Sequence, residues 1–139
     1  MGLPLITLDT SGVLALLGRD DPSHARARDA LASDAGPYLV PAATLGEIGH
    51  FVERWFGPPV LAAFLEDLSA RAFVLDCGED DFGRVHDLVQ RYDDLPLGLV
   101  DGAVVACAER NGGRVLTLDV RDFGVVAREG GISLLPEPV

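Results

Sequence analysis

The sequence predicts an α/β domain: a mainly parallel sheet with helices on both faces. Three observations carry this. Short apolar runs alternate with segments of helical periodicity, the pattern of parallel strands joined by crossover helices. Two of the runs, PLITL at 4–8 and RVLTL at 114–118, each end at an aspartate. The chain has 139 residues, 48% of them apolar, enough for one domain with a filled core that buries about two-thirds of its unfolded surface.

Residues 4–8 are an unbroken apolar run, the signature of a strand covered on both faces. TSGVLALL follows as a short helix that Thr10 or Ser11 can cap, and Gly18 to Pro22 stop it. Ser23 can cap a second helix, HARARDALAS, before a strand YLV at 38–40. Pro41 is expected to open a helix to about Phe56, with Leu45, Ile48, Val52 and Trp55 as its core face. Gly57-Pro58-Pro59 ends it. A further helix, VLAAFLEDLSA, leads to a strand at 72–76. Residues 79–92 read as an amphipathic helix on Phe82, Val85, Leu88 and Val89. Pro96 and Gly98 break the chain ahead of a mostly apolar helix from about Leu99 to Arg110. Asn111-Gly112-Gly113 stops that helix, and RVLTL makes a strand ending at Asp119. A short turn of helix and a last strand, ISLL, complete the pattern. No internal repeat or linker is visible, so one domain over 1–139 is expected.

The composition narrows function. The net charge is −11, and all basic residues are arginine. Phosphate repels such a chain at long range, which argues against a large nucleic-acid footprint. It leaves room for a small site where a metal reverses the local charge, and it favours a basic protein partner. No segment reaches the ~20 apolar residues of a membrane helix. The N-terminus reads as a first strand and not a signal peptide. Cys77 and Cys107 read as two buried thiols in a reducing cytosol.

Four acids stand out. Asp9 and Asp119 each follow a strand, at the edge where open α/β sheets place their sites, although either could simply cap a helix. Glu47 sits about 40° outside the apolar arc of its helix, a border position that suits a solvated residue or a ligand. Gly46 and Gly49 flank it and could allow another backbone to approach. Asp101 lies in the first turn of LVDGAVVACAER, a helix apolar all round that should be buried. An unpaired carboxylate there is costly, and the helix dipole offsets only part of the cost. Together the four would repel one another, a conflict that a hard divalent cation such as Mg²⁺ or Mn²⁺ resolves. Lysine is absent and no strong histidine pattern exists, so water activated by a metal is the economical nucleophile.

These residues carry a resemblance. LDTSGVLALL at 8–17, the Glu47 helix, RYDDLPLGLVDGAVVACAER at 91–110 and RVLTLDVRDFGVV at 114–126 make the chain similar to the PIN-domain ribonucleases, and within them to the VapC toxins of bacterial toxin–antitoxin pairs. The resemblance spans nearly the full length. It implies a PIN-like three-layer α/β/α fold, Mg²⁺ or Mn²⁺, and hydrolysis of RNA phosphodiesters, with transfer or ribosomal RNA as the usual kind of target. The family's acids map onto Asp9, Glu47, Asp101 and Asp119. Asp9 and Asp101 look like direct ligands, and Glu47 and Asp119 like groups that complete the site or hold water. Gly102 departs mildly from the family's small residue after the third acid. Asp122, Asp93 and Asp94 are expected at the rim or as caps, and Thr10, Ser11 and Thr117 as caps or as contacts near the site. The resemblance also implies a cytoplasmic protein, a VapB-like antitoxin with a basic tail, and a homodimer. Trp55, Phe56 and Phe64 belong either to the antitoxin's groove or to the core.

Two rival chemistries fail on the residues present. Glu47-x-x-His50 matches one Glu-x-x-His step of a di-iron bundle, but His24 and His86 have no acid three residues before them. Phosphoacceptor folds that use an aspartate like Asp9 rely on a nearby lysine. The alternative outside enzymology is a PIN-like module that binds a partner or RNA without cutting it.

Overall fold

The computed structural model describes residues 4–137. Residues 1–3, the lead-in to the expected first strand, lie outside them. Five strands form one sheet in the order β3-β2-β1-β4-β5, every neighbour pair parallel. They are β1 (Ile6–Leu8), β2 (Tyr38–Pro41), β3 (Phe73–Asp76), β4 (Arg114–Leu116) and β5 (Ser133–Leu135). Helices α1 (Thr10–Leu17) and α2 (His24–Leu31) join β1 to β2, and α3 (Leu45–Trp55) and α4 (Pro58–Ser69) join β2 to β3. Helices α5 (Phe82–Arg91) and α6 (Leu99–Arg110) return the chain to β4, and α7 (Val120–Arg128) leads to β5.

Two cores make the three layers. On one face Val13, Ala27, Ile48, Val52 and Phe64 of α1 to α4 pack on Ile6, Leu8 and Val40. On the other Leu88, Val104, Val105, Phe123 and Val126 of α5 to α7 pack on Val115, Ile132 and Leu134. All three residues of β1 are buried, as a strand covered on both faces requires. Helix α6 is the buried apolar helix expected, with every residue from Val104 to Ala108 inside.

Several expectations are corrected. Pro41 ends β2 and does not open a helix. A 3₁₀ turn, Ala42–Thr44, intervenes, held by the Thr44 hydroxyl donating to the Pro41 carbonyl at 2.8 Å. Trp55 is 58% exposed and Phe82 68% exposed, because each sits on an end turn of its helix beyond the reach of the next layer. Phe64 is core, while Phe56 is half-buried. Gly46 and Gly49 face open space, so no backbone approaches there. The short helical turn after Asp119 is a nine-residue helix anchored by Phe123 and Val126. Cys77 is exposed. Cys107 alone is buried, which pushes its thiol up to about 11, and both cysteines are free.

Strands β1 and β4 lie side by side, with Leu8 in register with Leu116. The helix after β1 covers one face and the helix after β4 covers the other. The carboxyl ends of these two strands are therefore the switch point of the sheet, where chains diverge and a cleft opens.

Candidate metal centre

Asp9 follows β1 directly and caps α1, its Oδ1 accepting the Gly12 N–H at 2.7 Å. The cap is thus Asp9 and neither Thr10 nor Ser11. The same carboxylate accepts the Ser11 hydroxyl at 2.8 Å and the Thr117 hydroxyl at 2.6 Å. Gly12 is required here: an ideal Cβ would lie 3.1 Å from the Leu116 carbonyl carbon and closer still to its oxygen. Only glycine lets the first turn of α1 sit against the end of β4.

Asp119 follows β4 and caps α7, accepting the Asp122 N–H at 3.3 Å. Its own N–H donates to the Thr117 hydroxyl oxygen at 2.9 Å, and the Leu118 N–H donates to the Ser11 hydroxyl oxygen at 2.9 Å. Ser11 and Thr117 therefore clip the two strand ends together. Glu47, on the first turn of α3, is exposed and accepts the Thr10 hydroxyl at 2.6 Å. Asp101, on the first turn of α6, is half-buried. Gly102 beside it packs on Val85 of α5, where a Cβ would come within 3.0 Å, so its small size serves helix packing.

All four acids line a single cavity of about 240 Å³, with Phe51, Val100 and Val104 as apolar wall. Asp93, Asp94 and Asp122 do not line it, although the Asp122 charge reaches Asp101. Two larger grooves, one between α2 and α7 and one between α1, α3 and α4, are lined among the described residues by no such set of four acids.

The electrostatics mark this cavity as anion-crowded. Burial pushes Asp9, only 5% exposed, up to about 6; the Thr117, Gly12 and Ser11 hydrogen bonds work against that rise and the Asp119 charge adds to it. Burial also pushes Asp101 up to about 6, followed in weight by the charges of Asp119, Asp9, Asp122 and Glu47. As placed, no three acid, histidine or cysteine groups among the described residues stand close enough to hold one ion. The carboxylates ring the cavity and are not packed into one coordination shell. The donor set is nonetheless all oxygen, four carboxylates and the hydroxyls beside them, which suits a hard divalent cation. Among the described residues the Asp101 carboxylate has no hydrogen-bond partner, and exposed Glu47 is held by Thr10 at one oxygen only.

The sequence names the four acids and places Thr10, Ser11 and Thr117 near them as caps or contacts, but it does not show which of these groups pair. The Ser11–Thr117 clip and the close approach at Gly12 depend on which strands are neighbours. The only trace in the sequence is a hydroxyl two residues after one acid and another two residues before its counterpart.

The PIN domain family model matches residues 6–129. The chain is 31% identical over 126 residues to Ribonuclease VapC26 of Mycobacterium tuberculosis (strain ATCC 25618 / H37Rv), covering 89% of this chain and 93% of that protein. The fold is similar to the crystal structure of Mycobacterium tuberculosis VapC20, a Sarcin-Ricin loop cleaving toxin, with a TM-score of 0.73 and 22% identity over 87% of this chain and 94% of that one. It is also similar to DNA-bound VapBC from Salmonella typhimurium, with a TM-score of 0.66 and 20% identity over 95% and 97% of the two chains. At these identities the two structures speak for the three-layer fold. No helix among the described residues is long and apolar enough to cross a membrane.

Proposed function

The chain belongs to the PIN-domain family, as a ribonuclease toxin of the VapC type, and from that premise we propose that it hydrolyses RNA phosphodiester bonds at the cavity lined by Asp9, Glu47, Asp101 and Asp119, with Mg²⁺ or Mn²⁺. The observation that carries the site is this convergence: acids 110 positions apart in sequence, Asp9 and Asp119, meet two helix-borne acids at the sheet's switch point. Bound there, the cation would contact a phosphate oxygen and supply an activated water. The protein's part is placement. Ser11 and Thr117 fix Asp9, Thr10 fixes one Glu47 oxygen, and the α6 N-terminus partly offsets the Asp101 charge. Phe51, Val100 and Val104 limit water at the cavity wall.

The same reading supplies a partner. A VapB-like antitoxin would lay apolar side chains in the groove of about 860 Å³ lined by Leu14, Leu17, Trp55 and Phe56, and bring a basic tail to the acids. Leu14 lines both this groove and the acidic cavity, so one segment can reach both. The net charge of −11 suits such a partner. A homodimer acting on transfer or ribosomal RNA in the cytoplasm completes the proposal.

The deciding experiment is cleavage of total RNA by the purified chain, free of antitoxin, with Mn²⁺, with Mg²⁺ and with EDTA. Cutting that requires a cation is expected. A folded chain that cuts no RNA with either metal makes this a binding module instead.

A further inference from the structure

We propose that the groove between α2 and α7 holds the RNA backbone next to the scissile bond, with Arg26 and Arg128 on its phosphates. The proposal rests on the ribonuclease reading and adds to it a track for the substrate that the acidic cavity cannot provide by itself.

The groove encloses about 730 Å³. It has basic groups on both helices, Arg26 on α2 and Arg128 on the last turn of α7, over an apolar floor that includes Leu118 and Leu134. No carboxylate among the described residues lines it, although the chain has twice as many acids as bases, 22 against 11. Arg28, Arg84, Arg91, Arg110 and Arg114 are all committed to ion pairs with nearby acids. Arg26 and Arg128 are not within 4.0 Å of any described carboxylate. Arg19, Arg54, Arg71 and Arg121 likewise have no carboxylate partner among the described residues, and of these six arginines Arg26 and Arg128 flank this groove.

Position ties that groove to the chemistry. Thr117 lines it and, through its hydroxyl, donates to Asp9 at 2.6 Å while accepting from the Asp119 N–H at 2.9 Å. Groove and acidic cavity thus lie on either side of one hydrogen-bonded strand end. A polyanion leaving the cavity toward β5 would run onto the two arginines. No aromatic ring is among the groove's described lining residues, so it offers no platform for stacked bases. The contact expected is with phosphates, which positions a strand without reading its sequence. It also offsets the repulsion that the rest of this acidic surface exerts on RNA.

The test compares the wild-type chain with Arg26→Ala, Arg128→Ala and Arg26→Ala/Arg128→Ala, and with Arg71→Gln as the control for the loss of one charge in each single variant. Arg71 is exposed at the opposite, amino-terminal edge of the sheet. Cleavage of total RNA with Mn²⁺ is followed at several salt concentrations. Binding of a fluorescein-labelled fragment that the wild type cuts is measured on an Asp101→Asn background. The double variant should raise KM about tenfold or more with kcat within about twofold, and flatten the log–log salt dependence of binding by about 1.4, the loss of two single-strand phosphate contacts. Arg71→Gln should change neither. Thermal unfolding checks the fold, and Arg26→Gln/Arg128→Gln replaces the alanine pair should that pair unfold. A wild type that cuts while the double variant keeps its KM and salt slope overturns the proposal alone. So does a double variant that alters only self-association or antitoxin binding, which would make the groove a protein interface. A wild type that cuts nothing overturns the ribonuclease reading and this proposal with it.

Discussion

The Thr117 hydroxyl donates to the Asp9 carboxylate at 2.6 Å, joining residues 108 positions apart. The same oxygen accepts the Asp119 N–H, so one side chain sets the position of two site acids. Thr117→Val keeps the shape and removes both bonds. A buried carboxylate oxygen then loses a donor, and about 1–3 kcal/mol of stability should go with it. Cleavage should fall about tenfold or more, the scale for losing a group that orients a metal-site ligand. Thr117→Ser should restore most of both. Denaturant unfolding and single-turnover cleavage check this, and a valine variant with native stability would show that the clip is unimportant.

The raised carboxyls of Asp9 and Asp101 fix a pH dependence. A group whose folded pKa lies above its unfolded value favours folding fully below the unfolded value and loses that contribution as pH rises through the folded one. Both move from 3.8 to about 6, so their contribution to the metal-free chain should decline between about pH 4 and pH 6 and be absent at neutral pH. For Asp9, which is buried, the loss is roughly 3 kcal/mol. Saturating Mn²⁺ should restore stability at pH 7.5 and not at pH 5, where protons compete for the same carboxylates. Chemical denaturation at the two pH values, with and without Mn²⁺, reads this out. A stabilisation by Mn²⁺ that is equal at both would place the metal elsewhere.

Asp101→Asn should separate stability from activity. Burial and four neighbouring acids disfavour the Asp101 anion, so the neutral amide should raise the melting temperature of the metal-free chain at pH 7.5. Cleavage should nonetheless drop by about 100-fold or more, as when a group that stabilises the reacting centre is lost, and cellular toxicity should disappear while antitoxin binding persists. Retained toxicity would remove Asp101 from the site.

Gly12→Ala tests the contact between the first turn of α1 and the end of β4. A Cβ has no room against the Leu116 carbonyl, and backbone cannot swing aside as a side chain can. Overpacking of this kind costs about 1–3 kcal/mol, and it should also shift Asp9, whose Oδ1 caps α1 by accepting the Gly12 N–H. Urea unfolding measures the first effect and Mn²⁺ affinity the second. An alanine variant with native values of both would mean that the strand end yields freely.

How much of this was legible depended on range. The strands and the buried α6 helix were readable because each is specified by its own run of apolar residues, and Asp101 drew attention because a charge broke such a run. Local pattern places Asp9 and Asp119 at strand ends but leaves cap and site as alternatives for each. In the fold they coincide, because a capping acid at the carboxyl edge of β1 or β4 already faces the switch point. Glu47 owed most to family resemblance: its helix wheel leaves it at a border, and only the packing of α3 beside Thr10 turns it to the cavity. Long-range pairings such as Ser11 with Thr117, or Arg110 with Asp76 and Asp81, follow from strand order, which local pattern does not encode. Helix ends misled for a related reason. Periodicity marks Trp55 and Phe82 as apolar but does not say whether the neighbouring layer extends that far.

Trp55 provides the last prediction. It is the sole tryptophan, 58% exposed, and stacks on Phe51 with ring centroids 4.6 Å apart. Phe51 lines the acidic cavity while Trp55 lines the groove between α1, α3 and α4. The aromatic pair thus spans the two surfaces that the proposed antitoxin would cover. An exposed indole at the edge of a groove contributes little to folding, so Trp55→Ala should cost about 1 kcal/mol or less. Its contribution to the partner should be larger: a central aromatic anchor is worth about 2 kcal/mol or more, roughly a 30-fold loss of affinity. The wild-type emission should lie at the red, solvent-exposed end and move to the blue when the cognate antitoxin is added. An emission maximum that stays in place at saturating antitoxin, or full affinity in Trp55→Ala, would put the antitoxin on a different face.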